Sequence, residues 1–209
     1  MKISRELAEL VGIIIGDGNI YYNSQLKKYY FEITGNPALE KNYYEYVSDL
    51  VYEITSKRPT IRINGRGLRL RLYSKSFVEF LIKTLKLPYG KIKGTTIQIP
   101  EAVLSQNWDT LKFCIRGITD TDGSLFLAKK THKKDYPCIE ISTTSKNLAY
   151  QLKNILTERY RIGFRKFSPV SFRDKYIISA NGEKMVNQWI EDIGFSNKYK
   201  PGKYGSRVI

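Results

Sequence analysis

The chain has 209 residues, 42% hydrophobic and 26% charged, a globular composition that excludes disordered and fibrous classes. Thirty-five Lys and Arg against 20 Asp and Glu leave a net charge of +15, split as +5 over residues 1–110 (16 basic, 11 acidic) and +10 over 111–209 (19 basic, 9 acidic). An excess spread along the whole chain is what a folded face meeting a polyanion requires, and no apolar run approaches the roughly 20 residues that span a bilayer.

In chain order, Ser4 is a fitting N-cap, and the spacing predicts a helix from about Arg5 to Gly16, closed by Gly16-Asp17-Gly18. Strand-like segments follow at Asn19–Tyr22 and Lys28–Thr34. Asn36-Pro37 is expected to open a helix running to about Thr55, with proline at its first position. Alternation over Ile61–Leu72 predicts a hairpin turning at Asn64-Gly65, and Ser76–Leu87 a third helix. Residues 94–107 read as a linker around Pro100. The elements then recur: a helix from about Asn107 to Thr121, strands at Ser124–Lys129 and Tyr136–Thr143, a helix at Ser145–Tyr160, a less regular hairpin over Arg165–Ser179 and a helix at Gly182–Ile193.

The recurrence is visible in the residues themselves. Glu9-Leu10-Val11-Gly12-Ile13-Ile14-Ile15-Gly16-Asp17-Gly18 returns in kind, 105 positions on, as Cys114-Ile115-Arg116-Gly117-Ile118-Thr119-Asp120-Thr121-Asp122-Gly123. Phe31-Glu32-Ile33-Thr34 matches Ile139-Glu140-Ile141-Ser142, and Leu87–Lys93 resembles Gly194–Lys200 more weakly, at offsets of 108 and 107. The chain is therefore a duplicated α-β-β-α-β-β-α unit, first copy 1–93 and second copy 108–209, expected to pack about a pseudo-twofold axis.

Gly12 and Gly16 lie four apart on one helix face, as do Gly117 and Thr121, and small residues at that spacing let two backbones approach closely. Side by side, the two motif helices bring Asp17 and Asp122 together at their negative C-terminal ends. Such a cluster calls for a cation. The other use of the motif would be structural, with Gly18 and Gly123 as C-cap glycines, but two copies in matched context favour the cation. Two cysteines, Cys114 and Cys138, and one histidine, His132, exclude disulfide frameworks and multi-histidine metal sites, so metal chemistry must use carboxylates and carbonyls with a hard cation.

The two motifs resemble those of a LAGLIDADG homing endonuclease of the single-chain, two-repeat type, and the resemblance extends over essentially the whole chain. It implies an α+β monomer of two αββαββα repeats, each with a saddle-shaped antiparallel sheet over the major groove, packed through the motif helices. It implies that Asp17 and Asp122 hold Mg2+ (with Ca2+ or Mn2+ able to substitute for binding), with the Gly16 and Thr121 carbonyls as further ligands. Lys91 and Lys198 are the candidates for stabilising phosphate charge or polarising water, with Lys93 and Lys200 as competitors. The sixth motif position departs from the pattern as Ile15 and Asp120, and Asp120 is expected to be structural or solvated.

Alternation sets Ile61, Ile63, Leu68, Leu70 and Leu72 on one side of the first hairpin and Arg62, Asn64, Arg69, Arg71 and Tyr73 on the other. A row of arginines opposite the core can contact guanine edges. Arg165, Arg173, Lys175 and Tyr176 are the weaker equivalents in the second copy. Lys27, Lys28, Lys129, Lys130, Lys133 and Lys134, with His132, are expected at phosphates, while Glu32 and Glu140 are expected in internal salt bridges. The implied activity is metal-dependent cleavage of both strands of a long pseudo-palindromic DNA site by an intracellular, intron-encoded protein. The rival on the same fold is an intron RNA maturase or a DNA-binding regulator that does not cut.

Overall fold

The computed structural model describes residues 2–90, 93–130, 133–168 and 173–202. The first copy comprises helix α1 (Arg5–Gly16), strands β1 (Gly18–Asn23) and β2 (Lys28–Gly35), helix α2 (Lys41–Thr55), strands β3 (Thr60–Asn64) and β4 (Gly67–Tyr73), and helix α3 (Lys75–Glu79), which runs on as a π-helical turn over Phe80–Thr84. Short helices α4 (Lys93–Thr96) and α5 (Glu101–Leu104) lie within the segment expected to be a linker. The second copy comprises α6 (Trp108–Asp122), β5 (Gly123–Lys130), β6 (Lys133–Thr143), α7 (Lys146–Thr157), β7 (Ile162–Phe167), β8 (Lys175–Asn181), α8 (Glu183–Asp192) and α9 (Tyr199–Gly202). The fold is α+β, with two antiparallel four-stranded sheets of equivalent order, β1-β2-β4-β3 and β5-β6-β8-β7.

Local chemistry explains most element boundaries. Ser4 Oγ accepts from Leu7 N at 3.2 Å and Asn107 Oδ1 from Thr110 N at 3.2 Å, so both motif helices start on side-chain caps. The second helix begins later than the sequence suggests, at Lys41. Asn36 Oδ1 accepts from Ala38 N and Glu40 Oε2 accepts from Asn36 N, which folds Asn36–Glu40 into a turn before the helix. Gly123 has φ −91° and ψ 163°, an extended rather than left-handed residue. It is required for room instead, since a Cβ there would lie 2.4 Å from the Thr119 carbonyl oxygen.

Every residue of α1 from Leu7 to Ile15 is buried, and α6 packs along it. The approach is backbone to backbone: a Cβ on Gly12 would lie 2.1 Å from Cys114 O, and one on Gly117 2.3 Å from Glu9 O. Residue for residue these are the same contact seen from the two copies. The segment that follows the third helix of each copy also bonds to the opposite copy. Thr144 Oγ1 donates to Gly94 O, Ser145 Oγ to Ile97 O, and Gln151 bonds both N and O of Ile99. Reciprocally, Ser196 Oγ donates to Glu9 Oε1 and Asn197 Nδ2 to Glu40 Oε1. Among the described residues no helix is long and apolar enough to cross a membrane.

Asp192 ties the end of α8 to α6 and to the turn after α7, accepting from Trp108 Nε1 at 3.0 Å, Tyr160 OH at 2.9 Å and Lys112 Nζ at 3.4 Å. Partial burial works against its charge, but these donors outweigh it and hold the carboxyl below its ordinary value of 3.8. A group depressed in the folded state contributes stability above its unfolded pKa and loses it as pH falls through the folded one. Asp192→Asn, which replaces one accepting oxygen with an NH2 donor facing these donors, is expected to cost about 1–3 kcal/mol at pH 7. The cost should shrink below about pH 4, as read from urea unfolding of both proteins across pH.

Candidate active site

Asp17 caps the C-terminal end of α1 and is exposed; Asp122 ends α6 and is half-buried. The seam brings the end of α6 against Gly16, the residue before Asp17: a Cβ on Gly16 would lie 3.5 Å from the Asp122 carboxyl carbon and 2.0 Å from Thr121 Oγ1. Gly16 and Asp122 line a cleft together with Gly94, Ile97, Ser142, Thr143, Thr144 and Lys175. Ser142 and Lys175 project from the outward face of the second sheet, so Asp122 and that face open onto the same space. Asp17 lies close enough to Tyr43 and Tyr44 to help raise both phenols, burial being the larger cause.

These groups suit a hard dication better than a soft one. The donors are two carboxylates beside the carbonyl-bearing ends of two helices, and among the described residues no group of three or more His, Cys, Asp or Glu side chains could hold a metal ion. A cation here would complete its shell with water and phosphate oxygens, which is the habit of Mg2+.

Among the described residues, Lys200 reaches the end of α6 beside Asp122. Its Nζ donates to Thr121 O at 3.1 Å and to Gly123 O at 2.6 Å, setting an ammonium on the negative end of α6. Lys198 is exposed and lines a separate cleft with α2 residues Tyr43 and Tyr46. Lys91 lies outside the described residues, as does His132, and only the backbones of Lys93, Lys133 and Lys134 are described. Lys175, expected at DNA, shares the carboxylate cleft, a placement its own strand could not have revealed.

Asp120 is buried rather than solvated. Its Oδ2 accepts from Ser196 N at 2.9 Å, while Oδ1 has no partner among the described residues. Burial, opposed by the hydrogen bonds of Asn197 and Ser196, pushes its carboxyl up to about 7. One turn away, Arg116 Nη2 bonds Glu9 Oε2 across the seam, with Glu9 only 1% exposed.

On the first sheet, the outward face carries Arg62, Arg69, Arg71 and Tyr73 in adjacent registers. Arg71 is held, not free. Its Nε and Nη2 bond Glu32 Oε2 at 2.9 and 2.5 Å, its Nη1 bonds Tyr73 OH, and it stacks 4.2 Å over the Tyr30 ring. Arg69 lies 3.6 Å from Glu32 and, with the Asn64 amide turned to face it, both its Nη atoms donate to the Asn64 carbonyl at 3.1 Å. Arg62 is exposed, and Lys28 sits about 6 Å above the stacked Tyr21 and Tyr30 rings. On the second sheet, Arg165 Nη2 bonds Glu140 Oε1 at 2.6 Å, so both matched glutamates form internal salt bridges. Lys129, Lys130, Arg173 and Lys175 are exposed. Tyr176 turns to the other side of its strand, buried against Tyr150 and Phe164.

Solved structures similar to this one include homing endonucleases. I-DmoI in complex with DNA and Mn aligns with a TM-score of 0.65 at 19% identity, covering 92% of this chain and 98% of that one. I-WcaI bound to its DNA recognition sequence aligns at 0.62 and 17%, covering 100% and 89%, and I-SmaMI bound to uncleaveable DNA at 0.59 and 13%, covering 96% and 88%. No family model and no curated protein matches the sequence. Equivalent sheet orders, two paired motif helices and these alignments agree on one architecture: the chain has the fold of the single-chain, two-repeat LAGLIDADG homing endonucleases.

Proposed function

We propose that the chain is a sequence-specific DNA endonuclease that hydrolyses one phosphodiester in each strand of a long pseudo-palindromic site with a divalent metal. Residues 1–93 and 108–209 each take one half-site, and 94–107 join them. The observation that carries this reading is that Asp122, at the end of α6, lies against Gly16, the residue before Asp17 at the end of α1, and that Gly16 and Asp122 line a cleft shared with the outward face of a sheet. The solved relatives named above were captured on DNA, and I-DmoI with Mn and with Ca, which favours the same partner and a cation here.

In this reading Asp17 and Asp122 hold the cation, with the Gly16 and Thr121 carbonyls beside them. The bound metal would supply Lewis-acid stabilisation of charge at the scissile phosphate. Lys200 fixes the Thr121 carbonyl and adds positive charge next to the carboxylates; Lys175 faces the cleft as a phosphate anchor. Lys129, Lys130, Arg165 and Arg173 give salt-dependent affinity, and Arg62 and Arg69 are the base-reading side chains of the first sheet.

Lys200→Met is expected to slow single-turnover cleavage by about 100-fold, while Lys198→Met, removing one screened phosphate contact, changes it by about threefold at most. The reading as a whole is tested by exposing long randomised duplexes to the protein with Mg2+ or chelator and sequencing the ends. Metal-dependent double-strand cuts at one shared sequence support it. Specific retention without cutting in any divalent metal would replace it with a regulator.

A further inference from the structure

The two sheets correspond strand for strand, yet their outward faces differ in chemistry. Glu32 pairs with Arg71 across β2–β4, where Glu140 pairs with Ser179 across β6–β8. The next row is Thr34–Arg69 in the first sheet and Ser142–Ile177 in the second; the row on the other side is Tyr21–Tyr30–Tyr73 against Phe126–Cys138–Asn181. Two arginines and three phenols of the first face have become Ile177, Ser179, Phe126, Cys138 and Asn181.

The polar groups left on the second face are largely spent on each other, Asn181 Nδ2 on Ser179 Oγ at 2.9 Å and Arg165 on Glu140. Phe126 and Ile177 stand partly exposed between them, and Phe167, on the same face, is 60% exposed. At the ends of this apolar centre lie exposed Lys130 and Lys175, a rim fit for phosphates rather than for an apolar protein partner. A major groove offers donors, acceptors and one apolar feature, the C5 methyl of thymine. Side chains with no donor or acceptor discriminate only through that methyl.

We propose that the halves read DNA by different chemistry, the second sheet recognising its half-site through thymine methyl groups packed against Phe126 and Ile177. This rests on the DNA-binding reading above and says which bases the second half-site must contain.

The test selects bound duplexes from a randomised pool in Ca2+ and sequences them. Parallel selections with Arg69→Ala and with the pair Phe126→Ser, Ile177→Ser assign each half-site to its sheet by the positions whose preference relaxes. Thymine is expected at the positions relaxed by the second set. Exchanging each for deoxyuridine, which removes only the methyl and leaves the protein untouched, should weaken binding about fourfold per methyl; the same exchange in the other half-site should have no measurable effect. Site-specific binding with guanine or cytosine at those positions, or affinity unchanged by deoxyuridine, would overturn the thymine assignment while leaving the DNA reading intact. A pool that yields no shared sequence would instead defeat the DNA reading, and this assignment with it.

Discussion

Asp17→Asn and Asp122→Asn are each expected to reduce cleavage at least about a thousandfold while leaving site-specific binding in place. A carboxylate that helps hold a catalytic dication controls several kcal/mol of transition-state charge stabilisation, and each 1.36 kcal/mol is worth about a factor of ten. Asparagine keeps the shape of the side chain and removes its charge. Next to a polyanion that loss relieves repulsion, so DNA affinity should stay level or rise slightly. Single-turnover cleavage in Mg2+ and equilibrium binding in Ca2+ separate the two effects. A variant that cut at the native rate would remove that carboxylate from the chemistry.

The second large effect is on the seam. Gly117→Ala places a methyl 2.3 Å from Glu9 O, 2.8 Å from Ile13 N and 3.1 Å from Gly12 C, all of them backbone atoms that no rotamer change can clear. The helices must part, and the apolar contacts along α1 loosen with them. The expected loss is more than about 3 kcal/mol, at the upper end of overpacking costs, seen as a lower urea midpoint by tryptophan fluorescence. Gly94→Ala is the control, since the nearest atom to its new methyl is Thr144 Oγ1 at 3.8 Å, and it should stay within about 0.5 kcal/mol of the parent. Cleavage by whatever Gly117→Ala protein folds should fall further than binding, because displacing Asp17 from Asp122 by about 1 Å disrupts the chemistry first.

The parts of this architecture legible in the sequence are those set by local period and by repetition. The motif helices, the two hairpins of each copy and the alternation of Leu68, Leu70 and Leu72 with Arg69 and Arg71 all follow from spacing that the structure retains. What spacing could not give is whatever depends on distant partners. Asp120 is buried because Ser196, 76 residues away, folds over it. Lys200 rather than Lys198 reaches the end of α6 because the final segment crosses to the other copy before turning back. Glu40 looks like an ordinary helix residue until its carboxylate is seen holding Asn36 on one side and Asn197 on the other, which is why α2 starts at Lys41. Tyr176 was misplaced on the polar face because Arg165–Ser179 alternates irregularly, and one residue of register reverses a strand's faces.

The Glu9–Arg116 pair has a consequence for which halves can join. At the offset of 105, Glu9 corresponds to Cys114 and Arg116 to Val11. Two copies of the first half would therefore set Glu9 against Val11 twice, burying carboxylates with no cation opposite. Two copies of the second would set Arg116 against Cys114, whose thiol burial keeps neutral. Stranding a charge in such a seam costs several kcal/mol per ion, and only the mixed pairing cancels it. Self-pairing is thereby disfavoured for either half, so the two halves suit each other and not themselves, a heterodimer written in one chain.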